Sequence, residues 1–219
     1  NGMHATVAPR SSLAQIRGMF ALLRPRQWVK NVFVFAPLIF AGEFLKLQSI
    51  EKVALTALIF CVASSATYIL NDLTDIERDR RHPKKSKSRP LASGLVSIPQ
   101  AITILLILYV ALLAAWFVMP AVLYVVLGYL LLNLAYTFVL KHQPVIDIFT
   151  IAIGFVLRVY AGAMALSVPV SSWMFVTTLC LALYLAAVKR GQELASNGSD
   201  SREVLQHYTP ALIDRYAEM

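Results

Sequence analysis

Charged residues are scarce in this sequence, and their scarcity excludes a water-soluble fold. Only 15% of the 219 residues are charged, whereas 58% are apolar. Soluble domains average roughly 45–50% apolar residues. A chain of this composition therefore has too little polar surface to enclose its apolar residues in water.

The signals of disulfide bonding, zinc binding and secretion are also missing. Cys61 and Cys180 both fall within apolar stretches, which argues against a disulfide framework. His142 and His207 have no second histidine or cysteine at a zinc-ligand spacing. The first apolar stretch lacks a small-residue cleavage site and is followed by more of its kind, so no signal peptide is predicted.

The apolar residues that dominate the sequence form six long stretches. Each holds roughly 20 residues and is long enough to cross a hydrocarbon core of roughly 30 Å. They predict an all-α fold, a polytopic membrane helical bundle in residues 24–219, preceded by an amphipathic lead-in over residues 1–23. The six predicted spans are residues 29–45, 52–72, 98–118, 121–140, 144–166 and 172–190.

Basic residues cluster in the connectors on one side of this predicted bundle. Arg24 and Arg26 precede the first span, Lys141 lies between the fourth and fifth, and Lys189 closes the sixth. The long connector between the second and third spans carries Arg78, Arg80, Arg81, Lys84, Lys85, Lys87 and Arg89. By the positive-inside rule, this side and the N-terminus face the cytoplasm, at a cell membrane. Topology and anionic lipid head groups then account for the net charge of +8, so the predicted partner is a lipid bilayer and not nucleic acid.

An acidic motif follows the second span: Asn71-Asp72-x-x-Asp75-x-x-x-Asp79. At helical spacing the three carboxylates share one face, with Asn71 beside it. Like charges are tolerated there if the face is exposed to water or if a cation binds between them. Mg²⁺ favours one or two carboxylates together with phosphate oxygens and waters. The motif therefore predicts a Mg²⁺-diphosphate site with Asp72, Asp75 and Asp79 as metal ligands, and the alternative is a solvated helix end neutralised by neighbouring arginines.

The connector beyond this motif, residues 82–94, is basic and rich in serine. Arginine binds phosphate in a bidentate manner and lysine acts as a point charge, which makes Lys87 and Arg89 candidate phosphate ligands. The alternative is a loop whose charges only set the topology.

Two charges in the fifth predicted span are not explained by hydrophobicity. Asp147 lies in its first turn, and Arg158 lies roughly 16 Å deeper by helix rise. They share a face with Gly154 and, somewhat rotated, Gly162, and glycines let helices approach closely. Intramembrane charge is costly and marks a lined cavity or a buried pair. Asp147 is the stronger site candidate, while a purely structural Arg158 stays open.

At the end of the sixth span, Lys189 and Glu193 stand at i,i+4 spacing. This spacing fits either ligand binding or an ordinary helix salt bridge beside a cation at the membrane interface.

Taken together, these motifs resemble those of the UbiA superfamily of intramembrane prenyltransferases, in its decaprenyl-phosphate phosphoribosyltransferase branch. The resemblance extends from about residue 24 to the end of the chain. It rests on residues 24–31, the acidic motif, the 82–94 loop, Tyr136 with Lys141, residues 147–158, and Lys189-Arg190-x-x-Glu193.

The resemblance implies a Mg²⁺-dependent transfer of 5-phosphoribose from phosphoribosyl diphosphate to a polyprenyl phosphate, with release of diphosphate. It implies that Asp72, Asp75 and Asp79 hold the metal and the diphosphate, and that Asp147 closes the site opposite. The other implied substrate-binding residues are Lys30, Asn31, Asn71, Lys87, Arg89, Tyr136, Lys141, Arg158, Lys189 and Glu193.

Two departures from the family pattern bear on this reading. Most relatives carry a second Asp-rich motif after the sixth span, where this chain has the 189–193 segment; that suits a branch whose donor is not an isoprenyl diphosphate. The family fold also has nine spans, so we expect this chain to be part of a longer protein. The alternatives are an ordinary prenyltransferase and a lipid transporter, although no inverted repeat or broken helix favours the transporter. A homo-oligomer is left open.

Overall fold

The computed structural model describes residues 11–143 and 145–197, with side chains up to residue 195, so His207, for which no zinc site is predicted, lies outside it. The described residues form helices and connectors without a strand. In chain order the helices are α1 (Ser12–Leu22), a 3₁₀ helix (Pro25–Phe35), α2 (Ala36–Phe40), α3 (Leu47–Thr74), α4 (Ile76–Arg81), α5 (Lys85–Ser88), α6 (Ile98–Trp116), α7 (Pro120–Phe138), a 3₁₀ turn (Leu140–His142), α8 (Ile146–Leu166) and α9 (Ser172–Asn197).

Five of these helices are long and apolar enough to cross a membrane: α3, α6, α7, α8 and α9. They correspond to the second through sixth predicted spans, and the predicted all-α membrane bundle is confirmed. More than half of the span residues in α3 and α8 are buried, whereas fewer than a quarter are buried in α6 and α9. The two helices that carry the acidic motif and Arg158 therefore form the centre of the bundle.

The first predicted span, residues 29–45, is wrong as a single α-helix. Residues 25–35 form a 3₁₀ helix, residues 36–40 form the short α2, and the chain turns at Gly42, where φ is +69°. An α-helical bond to the Phe33 carbonyl would require an N–H on residue 37, which is a proline. The Ala36 N–H donates to that carbonyl instead, in the i→i+3 pattern of a 3₁₀ helix.

The 3₁₀ helix and α2 together, here called the entry segment (residues 25–40), still run the length of the bundle antiparallel to α3. At one end, Arg24 pairs with Asp72 near the end of α3. Beyond the other end, Glu43 accepts a hydrogen bond from Ser49 near the start of α3. At the rise of 3₁₀ and α helices, the sixteen residues cover roughly 30 Å. The segment therefore extends from one end of α3 to the other without a regular spanning helix.

Polar groups attach the start of the entry segment to the middle of α3. The Trp28 indole N–H donates to the Ser65 hydroxyl over 2.9 Å, and that hydroxyl donates to the Leu23 carbonyl over 2.8 Å. Both bonds satisfy groups that would otherwise be unpaired in an apolar interior.

The entry segment also contacts α8 backbone to backbone at Gly162. A Cβ atom added to Gly162 would lie 2.0 Å from the Val34 carbonyl oxygen and 3.3 Å from Cδ of Pro37. Only glycine permits this approach, which agrees with the close helix contact predicted from the glycines of this span.

Replacing Gly162 with alanine should therefore destabilise the bundle. The methyl group must push the entry segment away from α8, and overpacking of this kind costs roughly 1–3 kcal/mol. We expect a lower melting temperature for Gly162→Ala in detergent. Gly128→Ala is the matched control, because no atom lies within 4 Å of its added Cβ and helix propensity favours alanine. Equal melting temperatures for the two variants would contradict the close contact.

Candidate active site

The three carboxylates of the acidic motif meet at one small cavity, although they do not lie on one regular helix. Helix α3 ends at Thr74, Asp75 adopts φ −99° and ψ 8°, and α4 begins at Ile76. The backbone bonds Asp75 N–H to Asn71 O (3.0 Å) and Asp79 N–H to Asp75 O (2.8 Å) continue across this break. The side chains therefore keep a common direction and line a cavity of about 70 Å³ together with Asn71.

Two of these carboxylates have basic partners from other parts of the chain. Lys141 Nζ lies 2.8 and 3.0 Å from the two carboxylate oxygens of Asp75 and 3.4 Å from Oδ1 of Asn71. Arg24 pairs with the buried Asp72. Asp79 is also buried, and its charge acts on Asp72. Two of the three like charges that the sequence places together are thus balanced by cations from outside the motif.

Arg24 carries two marks of a residue held in place for a function. Its φ of 52° lies in the left-handed region that a non-glycine residue rarely adopts. Its Nε atom is buried and has no hydrogen-bond partner among the described residues. Strain and unsatisfied donors of this kind concentrate at ligand sites.

The donor set around the small cavity fits a metal that is shared with a ligand. Within residues 11–143 and 145–195, no group of three or more His, Cys, Asp or Glu side chains is arranged to hold a metal alone. Mg²⁺ commonly takes only one or two carboxylates and completes its coordination with phosphate oxygens and waters. The oxygens of Asn71, Asp72, Asp75 and Asp79 that line the cavity meet that lower requirement.

A second, larger cavity of about 600 Å³ adjoins the first and extends between the entry segment and helices α3, α7, α8 and α9. Its lining is strongly basic, and Glu193 is the one acidic residue among the described residues that line it. The basic side chains around it are Arg24, Lys30, Lys84, Lys85, Arg89, Arg158, Lys189 and Arg190. Arg24, Asn71, Lys85, Arg89 and Tyr136 line both cavities.

Asp147 does not reach either cavity, contrary to the expectation that it closes the site. It is fully buried and accepts a 2.8 Å hydrogen bond from Nε of Arg190, which is 1% exposed. Arg190 also donates to Glu193 over 2.7 Å. Asp147 therefore positions Arg190, a cavity residue that the sequence analysis missed because it considered the i,i+4 pair of Lys189 and Glu193.

Arg158 does line the larger cavity, deep in the bundle. Its Nε donates to Oδ1 of Asn31 over 2.9 Å, and its Nη2 lies 3.4 Å from the Tyr129 hydroxyl. The rings of Tyr129, Phe155 and Phe60 surround the guanidinium, with centroids 5.1, 5.3 and 5.8 Å from Cζ. No described carboxylate pairs with Arg158, so the alternative of a buried ion pair is not what the structure shows.

Two predicted phosphate ligands take other positions. Asn31 is buried and lines neither cavity, because its side chain bonds to Arg158 and to the Cys61 sulfur, 3.3 Å away. Lys87 is exposed and also lines neither cavity. Lys85 begins the short helix α5 and Arg89 directly follows it, and both line the larger cavity, unlike Lys87. Their i,i+4 spacing was the available signal.

The apolar spanning helices and the two polar cavities between them define the class of this protein: it is an integral membrane protein with a polar site inside its helix bundle. The chain belongs to the UbiA prenyltransferase family, whose family model matches residues 32–204, and it is a membrane-embedded transferase. The family predicted from the sequence motifs is thereby confirmed.

Several curated relatives are named decaprenyl-phosphate phosphoribosyltransferase. The decaprenyl-phosphate phosphoribosyltransferase of Mycobacterium tuberculosis is 38% identical over 202 residues, which cover 89% of this chain and 67% of that protein. The enzyme of the same name from Corynebacterium glutamicum is 36% identical over 94% of this chain and 63% of its own length. This chain therefore spans about two thirds of the length of these relatives.

A solved structure supports the fold. A UbiA homologue from Archaeoglobus fulgidus, bound to GPP and Mg²⁺, matches with a TM-score of 0.73 and 21% identity. The match covers 91% of this chain and 71% of that one.

The buried pair of Asp147 and Arg190 should be essential for stability. Asp147→Asn keeps the shape but removes one of the two carboxylates that pair with Arg190, so that only Glu193 remains. Breaking a buried pair costs up to roughly 3–5 kcal/mol. We expect a clear fall in melting temperature. Glu77→Gln removes the exposed pair with Arg80, 3.3 Å apart, and should leave the melting temperature nearly unchanged. A similar melting temperature for both variants would show that the buried pair is dispensable.

Proposed function

We propose that this enzyme transfers 5-phosphoribose from phosphoribosyl diphosphate to a polyprenyl phosphate, with decaprenyl phosphate as the acceptor that the relatives' name indicates. The observation that carries the proposal is the contact between a carboxylate cavity and a larger basic cavity that share several lining residues. A reaction between two phosphorylated substrates needs both environments: oxygen ligands for a metal-bound diphosphate, and excess positive charge for further phosphate groups.

The diphosphate of the donor is assigned to the carboxylate cavity. Asp72, Asp75 and Asp79, with Asn71 beside them, would hold Mg²⁺ there. Mg²⁺, when bound, supplies positive charge next to the diphosphate oxygens, where negative charge increases as the group departs. Lys85, Arg89 and Lys141 stand around the same cavity and would donate hydrogen bonds to those oxygens.

The reaction itself then needs little from the protein beyond positioning. An oxygen of the lipid phosphate forms a bond to C1 of the ribose, and the bond between C1 and the diphosphate oxygen breaks with its electron pair on the diphosphate. The attacking oxygen already carries negative charge, so no strong general base is required. The protein's contribution is to orient the two anions and to neutralise their charge.

We also propose the orientation and location that the basic residues indicate. Arg24, Arg89 and Lys141 lie at the same end of the bundle as the carboxylate cavity. By the positive-inside rule this end faces the cytoplasm, where a water-soluble donor is available, and the membrane is the cell membrane. The lipid acceptor would enter from the bilayer, with its tail against the apolar helices.

The direct test is transfer of label from phosphoribosyl diphosphate into the organic phase, with purified protein, Mg²⁺ and a polyprenyl phosphate. We expect transfer that stops with EDTA. Asp72→Asn should reduce it by at least about 100-fold, because the variant loses a carboxylate beside the departing diphosphate. Glu77→Gln, whose side chain is 75% exposed, should retain activity.

Either of two results would overturn the proposal. Full activity of Asp72→Asn would remove the metal role of the motif. Turnover of an isoprenyl diphosphate in place of phosphoribosyl diphosphate would make the enzyme an ordinary prenyltransferase.

A further inference from the structure

We propose that Ser65 is a positioning residue for the acidic motif. It fixes the backbone at Arg24, so that the Arg24 guanidinium holds one oxygen of Asp72 and leaves the other oxygen available to a metal. The inference rests on the proposed metal role of Asp72. Ser65 acts through Arg24 and makes no contact with a substrate.

The backbone at Arg24 is held on both sides. Its N–H donates to the Ala21 carbonyl over 3.1 Å, and its carbonyl accepts from the Gln27 N–H over 2.9 Å. The Leu23 carbonyl, which belongs to the peptide group before Arg24, accepts from the Ser65 hydroxyl over 2.8 Å. The first two bonds are local, whereas the third comes from α3. A non-glycine residue stays in the left-handed region only where its surroundings impose it, so Ser65 ties this strained turn to the helix that carries the acidic motif.

One face of α3 holds the whole of Arg24. Ser65, Tyr68 and Asp72 stand at i, i+3 and i+7, so they share a face, and Ser65 lies roughly 10 Å from Asp72 along the axis. Ser65 bonds to the peptide group before Arg24, the Tyr68 ring lies 4.9 Å from the guanidinium carbon, and Asp72 accepts from Nη2. Ser65 itself is 1% exposed and lines neither cavity.

The ion pair that results is an incomplete one. Arginine often binds a carboxylate through two parallel hydrogen bonds. Here Nη2 of Arg24 donates to Oδ1 of Asp72, while the buried Nε has no partner among the described residues. A guanidinium free to turn would bind both carboxylate oxygens and compete with a metal for them. The fixed backbone therefore prevents a stronger ion pair that would exclude Mg²⁺ from Asp72.

The experiment measures metal binding without turnover. Melting temperatures are recorded in detergent with inorganic diphosphate at increasing Mg²⁺, because a ligand of the folded protein raises the melting temperature. We expect Ser65→Ala to need at least about tenfold more Mg²⁺ than wild type for half of the maximal stabilisation, as for other residues that orient metal ligands. The transfer assay should show the same shift, and excess Mg²⁺ should restore transfer, which it would not do for a misfolded protein.

Neighbouring residues supply the controls. Ser64→Ala removes an equally buried hydroxyl that donates to the Phe60 carbonyl of its own helix over 2.7 Å, and it should leave the Mg²⁺ requirement unchanged. Trp28→Phe removes the indole bond to Ser65 but keeps the bond from Ser65 to Leu23, so it should lower the melting temperature alone. Ser65→Cys fills the same space with a weak donor and should also raise the Mg²⁺ requirement, even if the alanine variant fails to fold.

A double variant tests whether Ser65 acts through Arg24. Lysine cannot form two parallel bonds to a carboxylate. Adding Ser65→Ala to Arg24→Lys should therefore not raise the Mg²⁺ requirement further. The same increase in both backgrounds would show two independent effects and overturn the inference. Equal Mg²⁺ requirements for Ser65→Ala, Ser64→Ala and wild type would also refute it.

These outcomes are separate from those of the proposed function. Wild-type protein that is stabilised by Mg²⁺ and diphosphate, but transfers no label, would refute the proposed function and leave the role of Ser65 standing. Wild-type protein that is not stabilised by Mg²⁺ and diphosphate would contradict the role of Ser65, even if label is transferred.

Discussion

The backbone contact between Gly162 and Val34 is the constraint on which the site depends. It allows the entry segment to lie directly against α8, within the space that a side chain would otherwise fill. At that separation Asn31 reaches Arg158, and Lys30 enters the same cavity. A glycine with no polar group of its own thus determines where the polar groups of two other elements meet.

Acidic and basic side chains are concentrated in different cavities of this bundle. The carboxylates of the acidic motif occupy one small cavity, where Arg24 and Lys141 balance two of them. The larger cavity has excess positive charge, and Asp147 lies behind its lining, where it holds the lining residue Arg190. Buried charges are retained where they are paired or where a ligand completes them. The arrangement therefore separates residues that hold the fold from residues that are available to substrates.

Much of this fold was predictable because its signals are local. Apolar stretches of sufficient length identified the five spanning helices, and the spacing of Asp72, Asp75 and Asp79 identified the acidic motif. The entry segment was misjudged, because hydropathy does not show that Pro37 removes the bond an α-helix needs at Phe33. The sequence offered only the neighbouring arginines as counter-ions for the motif, whereas Lys141, which pairs with Asp75, is distant in sequence.

The roles of individual site residues were less predictable, because they depend on which helices become neighbours. Asn31 and Asp147 both looked like ligands and instead hold Arg158 and Arg190. Arg190 and Lys85 were passed over in favour of Lys189 and Lys87, which are adjacent or nearly adjacent in sequence. Helical spacing ranks the faces of one helix, but only tertiary packing decides which face meets a cavity.

The irregular entry segment has a consequence for how the protein enters its membrane during synthesis. The entry segment, which carries Lys30 and Asn31 and changes from 3₁₀ to α helix just before Pro37, gains little by transferring into lipid alone, because buried charge opposes insertion. Among the described residues, the side chains of Trp28 and Asn31 find their hydrogen-bond partners on α3 and α8. Because the turn at Gly42 joins it to α3, the two elements are suited to insertion as a helical hairpin, in which the strongly apolar helix carries its polar neighbour across.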